Sequence, residues 1–295
     1  MSDTYERTKD REANEDVDIP AGPPPALSDT LSQDERYFTL FTTAIHRCLT
    51  YKPKFGMGKS SGLAVKEFRT LYQADPFYNW LGLDSPLMYA AHKAAGGMTS
   101  VYRQIGIGSQ WIFSQILVDM LELSTDQTAW SYTVATGKGK NRKLSLDGRI
   151  DLSHIQNLGK RAIVKDWVQH IGETLGLEDE IMANIKGVVF EARQGYKSKD
   201  SKRQNADINN ATQAYTRLYI PAILLFSTQI DGDVANRYRE NLWLILTGSL
   251  YGSTVESTYA FCRDIIGYDL GAFFTRYSPK LKAEVENVLQ ALLSA

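Results

Sequence analysis

Residues 220–230 read IPAILLFSTQI, and this almost entirely apolar run limits the possible folds more than any other part of the chain. A strand that shows no alternation of polar and apolar residues is buried on both faces, which requires helices on both sides of a sheet. A second β-prone run, Val188 to Phe190, precedes it and is followed by a polar segment. Together the two runs predict an α/β fold.

Helical periodicity surrounds these strands. Residues 1–30 are acidic and then proline-rich, which predicts a disordered tail or an arm that orders on a partner. Residues 31–98 are predicted to form a helical N-terminal region. Ser32 is expected to cap its first helix, with Glu35 three residues later completing a capping box. Residues 99–295 are predicted to form the core with its C-terminal helices. Within it, a glycine turn is expected to lead into a helix that Ser109 caps. Further helices are expected at 163–175, 205–219, 231–248, 257–266 and 279–293.

Composition excludes several classes of protein. The chain has 295 residues, a formal net charge of −1, two cysteines and four histidines without ligand spacing, so neither a disulfide framework nor a zinc knuckle is expected. It contains no apolar run of about 18 residues and no signal-peptide core near its first residue, which predicts a soluble, cytoplasmic protein without a membrane partner.

Glu191 is the first candidate functional residue. It ends the apolar run at 188–190, and Arg193 follows two positions later. The next loop is basic and carries Lys197, Lys199, Lys202 and Arg203. A carboxylate at the end of a buried strand, beside cations that offset phosphate charge, suits metal-assisted attack on a polyphosphate. The alternative is a strand end followed by a solvated lysine loop.

Asp147 is the second candidate. Residues 130–136 alternate like a strand, and a turn rich in glycine and lysine leads to a second strand that carries Asp147 near its end. This strand is expected to pair with the strand of Glu191, so that the two carboxylates together bind one or two Mg²⁺ ions. Asp151 also qualifies, but Asp147 is preferred because Gly148 would let the backbone bend beside the metal.

A phosphate-binding loop is the competing interpretation of Gly58-Lys59-Ser60. Such a loop requires a glycine five residues before its Gly-Lys pair, where this chain has Pro53, and it should follow a buried strand. We therefore expect no nucleotide cofactor.

The motifs around the two acids resemble those of type II restriction endonucleases of the PD-(D/E)XK nuclease superfamily. LDGRI at 146–150 resembles the first motif, and VVFEAR at 188–193 resembles the second. RQGYKSKDSKRQNAD and the upstream QIGIGSQWIFSQIL also look like a subset of these bacterial enzymes, so that the resemblance covers roughly residues 100–270. It implies a PD-(D/E)XK-like mixed central sheet flanked by helices, with a helical N-terminal extension. It also implies Mg²⁺-dependent, sequence-specific cleavage of double-stranded DNA, with Asp147 and Glu191 as the metal ligands.

The chain departs from the second motif at Arg193, where the family has lysine. Arginine supplies positive charge for the scissile phosphate but cannot act as a base. Water activation is then left to the metal and the substrate phosphate, or to Lys197 or Lys199 from the loop. The expected catalytic residues are Asp147, Glu191, Arg193 and Lys197.

The resemblance also implies that the loop after Glu191 and the start of the next helix face the DNA. The expected DNA-binding residues are Lys199, Lys202, Arg203, Gln204 and Asn205. The two amides are expected to bond adenine, and any of the arginines guanine. Cutting both strands of a palindrome predicts a homodimer. The alternatives are a non-catalytic DNA- or RNA-binding protein on the same core and a nuclease that acts in repair or without sequence preference.

Overall fold

The computed structural model describes residues 24–28, 30–55, 62–136, 140–196 and 201–294, without the side chains of 134–136, 140–142 and 201–203. These residues form two compact units, one from the described residues up to Gly108 together with those from Tyr277 onward, the other from Ser109–Arg276. The helices are α1 (Gln33–His46), α2 (Val65–Ala74), α3 (Pro76–Trp80), α4 (Pro86–Leu121), α5 (Thr125–Thr128), α6 (Leu158–Leu175), α7 (Asp179–Met182), α8 (Ser201–Thr216), α9 (Gly232–Glu240), α10 (Thr258–Ala260) and α11 (Leu270–Leu293), with a 3-10 helix at Arg47–Thr50 and a π-helix at Phe261–Ile266.

The first unit is helical in its described residues, as the sequence predicts. Ser32 caps α1: its hydroxyl accepts a hydrogen bond from the Glu35 amide at 3.3 Å, and the Glu35 carboxylate accepts one from the Ser32 amide at 2.9 Å. This reciprocal pair satisfies two amides that have no partner within the helix. The apolar stripe that the sequence assigned to this helix is buried, with Tyr37, Leu40, Phe41, Ala44, Ile45 and Cys48 all at most 8% exposed.

Helix α4 corrects one prediction. The sequence indicated a glycine turn followed by a helix capped by Ser109, but Pro86–Leu121 is a single helix in which Ser109 is buried. The glycines serve packing instead of a turn. A Cβ at Gly97 would lie 2.6 Å from Leu292, and one at Gly108 would lie 3.0 Å from Phe41. Close packing at these two positions therefore accounts for residues that are otherwise unfavourable inside a helix.

The strands are β1 (Trp130–Thr136), β2 (Lys140–Leu146), β3 (Gly148–Asp151), β4 (Gly187–Arg193), β5 (Tyr219–Leu225) and β6 (Leu244–Leu246). β1 and β2 form an antiparallel hairpin, and the predicted bounds of β1 are confirmed. The other four strands form a mixed sheet in the order β3-β4-β5-β6, in which β3 is antiparallel to β4 and the remaining pairs are parallel. The coarse prediction of a mixed α/β fold is therefore confirmed.

Every residue of β5 is buried, which confirms the interpretation of its apolar sequence. The strand ends at Leu225, five residues earlier than predicted, although the amides of Phe226 and Ser227 still donate to the carbonyls of Arg193 and Gln194. The helix predicted at 231–248 is also wrong beyond Glu240. Leu242 adopts a left-handed conformation with φ of 56°, and the chain then forms the edge strand β6 instead of a further helical turn.

Two apolar clusters cover the faces of β4. On one face the Phe190 ring contacts the rings of Phe113, Trp167 and Phe261, with centroids 5.1–6.4 Å apart. On the other face Val189 belongs to a cluster with residues of β5, α8, α9 and the β1–β2 hairpin. Strand β4 is thus fixed from both sides by packed side chains.

Both cysteines are fully buried and reduced. Burial raises the pKa of the Cys48 thiol to about 11 and that of Cys262 to about 12. In the part of the chain that the structure describes, no helix combines the length and apolar character needed to cross a bilayer.

Candidate functional site

Asp147 lies where one strand ends and the next begins. Leu146 is paired with Trp130 in the hairpin, whereas Gly148 is paired with Phe190 in the sheet. Between them, the Asp147 amide donates to the Phe190 carbonyl at 2.8 Å, and its Oδ2 accepts a hydrogen bond from the Ala192 amide at 2.9 Å. The carboxylate therefore takes the place of a main-chain acceptor in the ladder, which anchors this acid directly to β4.

The neighbouring Gly148 has a role that the sequence did not predict. Its φ is not in the left-handed region, so the residue is not required for a bend. A Cβ there would instead lie 3.0 Å from the ring of Phe113 and 3.3 Å from Leu117. Glycine thus allows Phe113 to pack against the strand beside Asp147.

Glu191 and Arg193 project from the same side of β4, since side chains alternate along a strand. The Glu191 Oε1 accepts a hydrogen bond from Arg193 Nε at 3.1 Å and lies 3.0 Å from Nη2. The guanidinium is only 6% exposed and the Glu191 side chain 14% exposed. The second acid is therefore held by a buried ion pair two residues along its own strand.

Asp207, on α8, supplies the second counter-charge of Arg193. Arg193 Nη2 donates to both carboxylate oxygens of Asp207, at 2.8 and 2.9 Å. The Tyr238 hydroxyl donates to the same carboxylate, the Tyr196 hydroxyl lies 3.4 Å from it, and the Arg193 guanidinium stacks 4.6 Å above the Tyr196 ring. We call Glu191, Arg193, Asp207, Tyr196 and Tyr238 the buried charge cluster.

The electrostatics of this cluster fix the protonation of Arg193. Burial alone would lower its pKa, but the Glu191 and Asp207 carboxylates outweigh burial and raise it. Arg193 is consequently always charged and cannot accept a proton from water. Its positive charge is compensated inside the protein by two carboxylates.

Asp151, the reserve candidate, is at the other end of β3. It pairs with Gly187, four residues before Glu191 along β4, which corresponds to about 13 Å at ~3.3 Å per residue. Its Oδ2 accepts a hydrogen bond from the Tyr219 hydroxyl at 2.6 Å, and Ser153 bonds the other oxygen. Of the two aspartates, Asp147 is thus the one beside Glu191.

The environment of Asp151 predicts a pH-dependent contribution to stability. Burial would raise the pKa of this carboxyl, but hydrogen bonds from Tyr219 and Ser153 outweigh it and lower the pKa below its usual value. A carboxyl with a lowered folded-state pKa stabilises the fold above about pH 4 and loses that contribution as pH falls through the folded-state pKa.

The variant Tyr219→Phe tests this contribution. It should reduce the free energy of unfolding by about 1–2 kcal/mol at pH 7 and by less at pH 3. Urea unfolding at the two pH values measures these two losses of stability, with Tyr251→Phe at an exposed tyrosine as the control. An equal loss at both pH values would contradict the assignment to the ionised carboxyl.

The basic loop is only partly described. Lys197 and Lys199 lie outside the described residues, as do the side chains of Lys202 and Arg203. Helix α8 begins at Ser201, four residues earlier than predicted, so that Lys202 and Arg203 are in its first turn.

Gln204 and Asn205 share a single partner. Arg237, on α9, donates from Nη1 to Gln204 Oε1 at 2.9 Å and from Nη2 to Asn205 Oδ1 at 2.6 Å. Gln204 is 7% exposed, whereas Asn205 is exposed. The two amides that were expected to bond adenine therefore direct their oxygens toward an arginine of the same protein.

Sequence reasoning missed Asp207, Gln110 and Arg237. The contact with Asp207 could have been expected. Arg193 lies on the same face of β4 as the buried Val189, so its charge needs a counter-charge inside the protein. Asp207 is the one acidic residue of α8 and could supply it. Gln110 donates from Nε2 to the Ala192 carbonyl at 3.2 Å, so Ala192 donates its amide N–H to Asp147 and accepts a hydrogen bond from Gln110 on its carbonyl oxygen. No local pattern indicates the Gln110 contact.

Among the described residues, no three His, Cys, Asp or Glu side chains group as a metal-binding set. A metal assignment thus depends on the pair Asp147 and Glu191. No protein-family model, no curated protein and no solved structure matches the chain. Its function is therefore inferred from its own residues.

Proposed function

We propose that this protein is a Mg²⁺-dependent endonuclease that cuts double-stranded DNA at a specific sequence, in the manner of type II restriction enzymes of the PD-(D/E)XK superfamily. One observation carries the proposal. The Asp147 carboxylate is bonded to the Ala192 amide, between Glu191 and Arg193 on β4. The first acidic motif of the resemblance is thus anchored on the second.

The order of elements supports the same proposal. The chain runs through the β1–β2 hairpin and Asp147 to β3, which is antiparallel to the strand β4 that carries Glu191, and then through helix α8 to the parallel strand β5. A resemblance based on short motifs is weak alone, and it gains weight when its residues fall on the expected strands.

Asp147 and Glu191 would hold the Mg²⁺ ion, since carboxylate oxygens are the ligands that this hard cation prefers. When bound, the ion lowers the pKa of water and balances charge on the phosphate. The chain's own contribution is to hold and orient Glu191 through its ion pair with Arg193. Arg193 itself is excluded as the base, so the proton of the attacking water would pass to the substrate phosphate or to Lys197 or Lys199. The basic loop and the start of α8 would contact DNA, and a homodimer would present two such sites to a palindrome.

Incubating the purified protein with phage DNA, in Mg²⁺ and separately in EDTA, tests the proposal. We expect discrete fragments in Mg²⁺ alone, with ends that share one sequence. A smear would indicate cleavage without sequence preference. Intact DNA under both conditions, with a substrate that a known nuclease cuts, would overturn the assignment of an enzyme.

A non-catalytic nucleic-acid-binding protein on the same core is the second candidate, and one observation favours it. The position two after Glu191 holds an arginine whose charge is compensated internally, where the resemblance implies a lysine directed at the reaction. Retained DNA binding without cleavage in the same experiment would support this candidate.

A further inference from the structure

Arg237, Gln204 and Asn205 form a second polar cluster, which we call the amide–arginine cluster. Arg237 is half-buried at α9, and the two amides are the fourth and fifth residues of α8. One guanidinium holds both amide oxygens, at 2.9 and 2.6 Å. The orientation of the arginine is thus fixed by two bonds from a neighbouring helix.

Arg237 differs from Arg193 in the groups that bond its guanidinium. Both hydrogen-bond acceptors of the Arg237 guanidinium are neutral amides. Among the described side chains, no carboxylate is within ion-pair distance of it, although Asp233 lies one turn earlier on the same helix. The start of the 16-residue helix α8, close to these amides, adds the positive end of a helix dipole. The cluster therefore favours a negatively charged or acceptor-rich ligand.

The directions of these hydrogen bonds indicate which ligand groups the amide–arginine cluster can bind. Because each amide oxygen faces the guanidinium, each amide NH₂ group is turned away from it. The exposed Asn205 and the half-buried Arg237 consequently offer hydrogen-bond donors to a ligand. A phosphate oxygen or the O6/N7 edge of guanine accepts such bonds, whereas adenine also presents an N6 donor that needs an amide oxygen.

We infer that Arg237, positioned by Gln204 and Asn205, is a DNA contact that recognises acceptor oxygens and nitrogens, either of a phosphodiester or of a guanine edge. This inference rests on the proposed function, because it assumes that the start of α8 faces DNA. It assigns the two amides a supporting role in place of adenine recognition, and it adds a residue from a different helix to the DNA-binding surface.

Equilibrium binding in Ca²⁺, with a duplex whose cleavage site has been mapped, tests the inference. We expect Arg237→Ala to weaken binding by about tenfold or more. Arg239→Ala is the matched control, since Arg239 is an exposed arginine of the same helix that also bonds a neutral amide, Asn236 at 3.2 Å. It should leave binding nearly unchanged.

Asn205→Asp provides a second test at an exposed position, because the new carboxylate would neutralise Arg237 without removing a buried group.

The two sources of acceptors give different results. If Arg237 contacts a phosphate, binding should weaken equally for all sequences, and the slope of log affinity against log salt should fall by about one. If it contacts guanine, the loss should be confined to the mapped site, and 7-deazaguanine in that site should weaken the wild type but not Arg237→Ala.

Wild-type affinity in Arg237→Ala and Asn205→Asp, or an equal loss in Arg239→Ala, would overturn the inference while leaving the endonuclease proposal intact. A wild-type protein that binds no duplex would overturn both.

Discussion

Replacing Glu191 by glutamine is expected to reduce Mg²⁺-dependent DNA cleavage by at least about 1000-fold, equivalent to about 4 kcal/mol of transition-state stabilisation. Glutamine keeps the shape of the side chain and can still accept a hydrogen bond from Arg193, but it lacks the negative charge that holds a metal ion. DNA binding in Ca²⁺-free buffer should remain within a few-fold of wild type. Single-turnover cleavage and equilibrium binding measure the two effects separately.

Glu240→Gln is the control, because it makes the same chemical change at an exposed acid of α9. Asp147→Asn should match Glu191→Gln, since both acids attach to neighbouring positions of β4. Retained cleavage by either variant would remove that residue from the catalytic site, and normal unfolding curves would show that any loss is not caused by misfolding.

Asp207→Asn should lower the free energy of unfolding by about 3 kcal/mol, because it removes one of the two carboxylates that pair with Arg193 and weakens the charge-assisted hydrogen bonds that Arg193 and Tyr238 donate to Asp207 in the interior. Asp207 is 3% exposed and compensates Arg193 together with Glu191, while also accepting a hydrogen bond from Tyr238. The substitution keeps the size of the side chain, so the loss would report the charge. Urea unfolding monitored by tryptophan fluorescence measures it.

The matched control is Asp166→Asn on α6, an exposed aspartate whose replacement should change stability by less than about 0.5 kcal/mol. A loss below about 1 kcal/mol in Asp207→Asn would mean that Glu191 alone is enough to compensate Arg193.

The sequence predicted those parts of the fold that depend on local pattern. The cap at Ser32, the strand Trp130–Thr136 and the doubly buried strand β5 follow from hydrogen-bonding chemistry and hydrophobic periodicity within a few residues. The sequence also predicted that the strand beside Asp147 pairs with the strand of Glu191.

The remainder depends on contacts between distant segments. Gly97 and Gly108 resemble breaks in a helix until their neighbours Leu292 and Phe41 are known. In the same way, Arg193 looks like a residue directed at substrate until Asp207, fourteen positions later, is seen to compensate it. The sequence shows which charged residues are present, but only the tertiary structure shows which of them form ion pairs.

Arg193 also bears on how a site of this kind can work without its lysine. A lysine at this position would be a titratable amine near the proposed metal ligands, whereas the buried arginine is permanently charged and paired with Glu191. In the proposed mechanism, proton transfer would thus be separate from the positioning of Glu191. If the protein cleaves DNA, the pH dependence of the rate should therefore reflect the metal-bound water or a loop lysine.

The two buried thiols make the protein convenient for site-specific labelling. Maleimide reagents react with the thiolate, and Cys48 and Cys262 are both inaccessible and held protonated at neutral pH. A single cysteine introduced at an exposed position such as Asn236 or Tyr251 would thus be the only reactive thiol. A fluorophore attached there would report binding by wild-type and variant proteins without prior removal of the native cysteines.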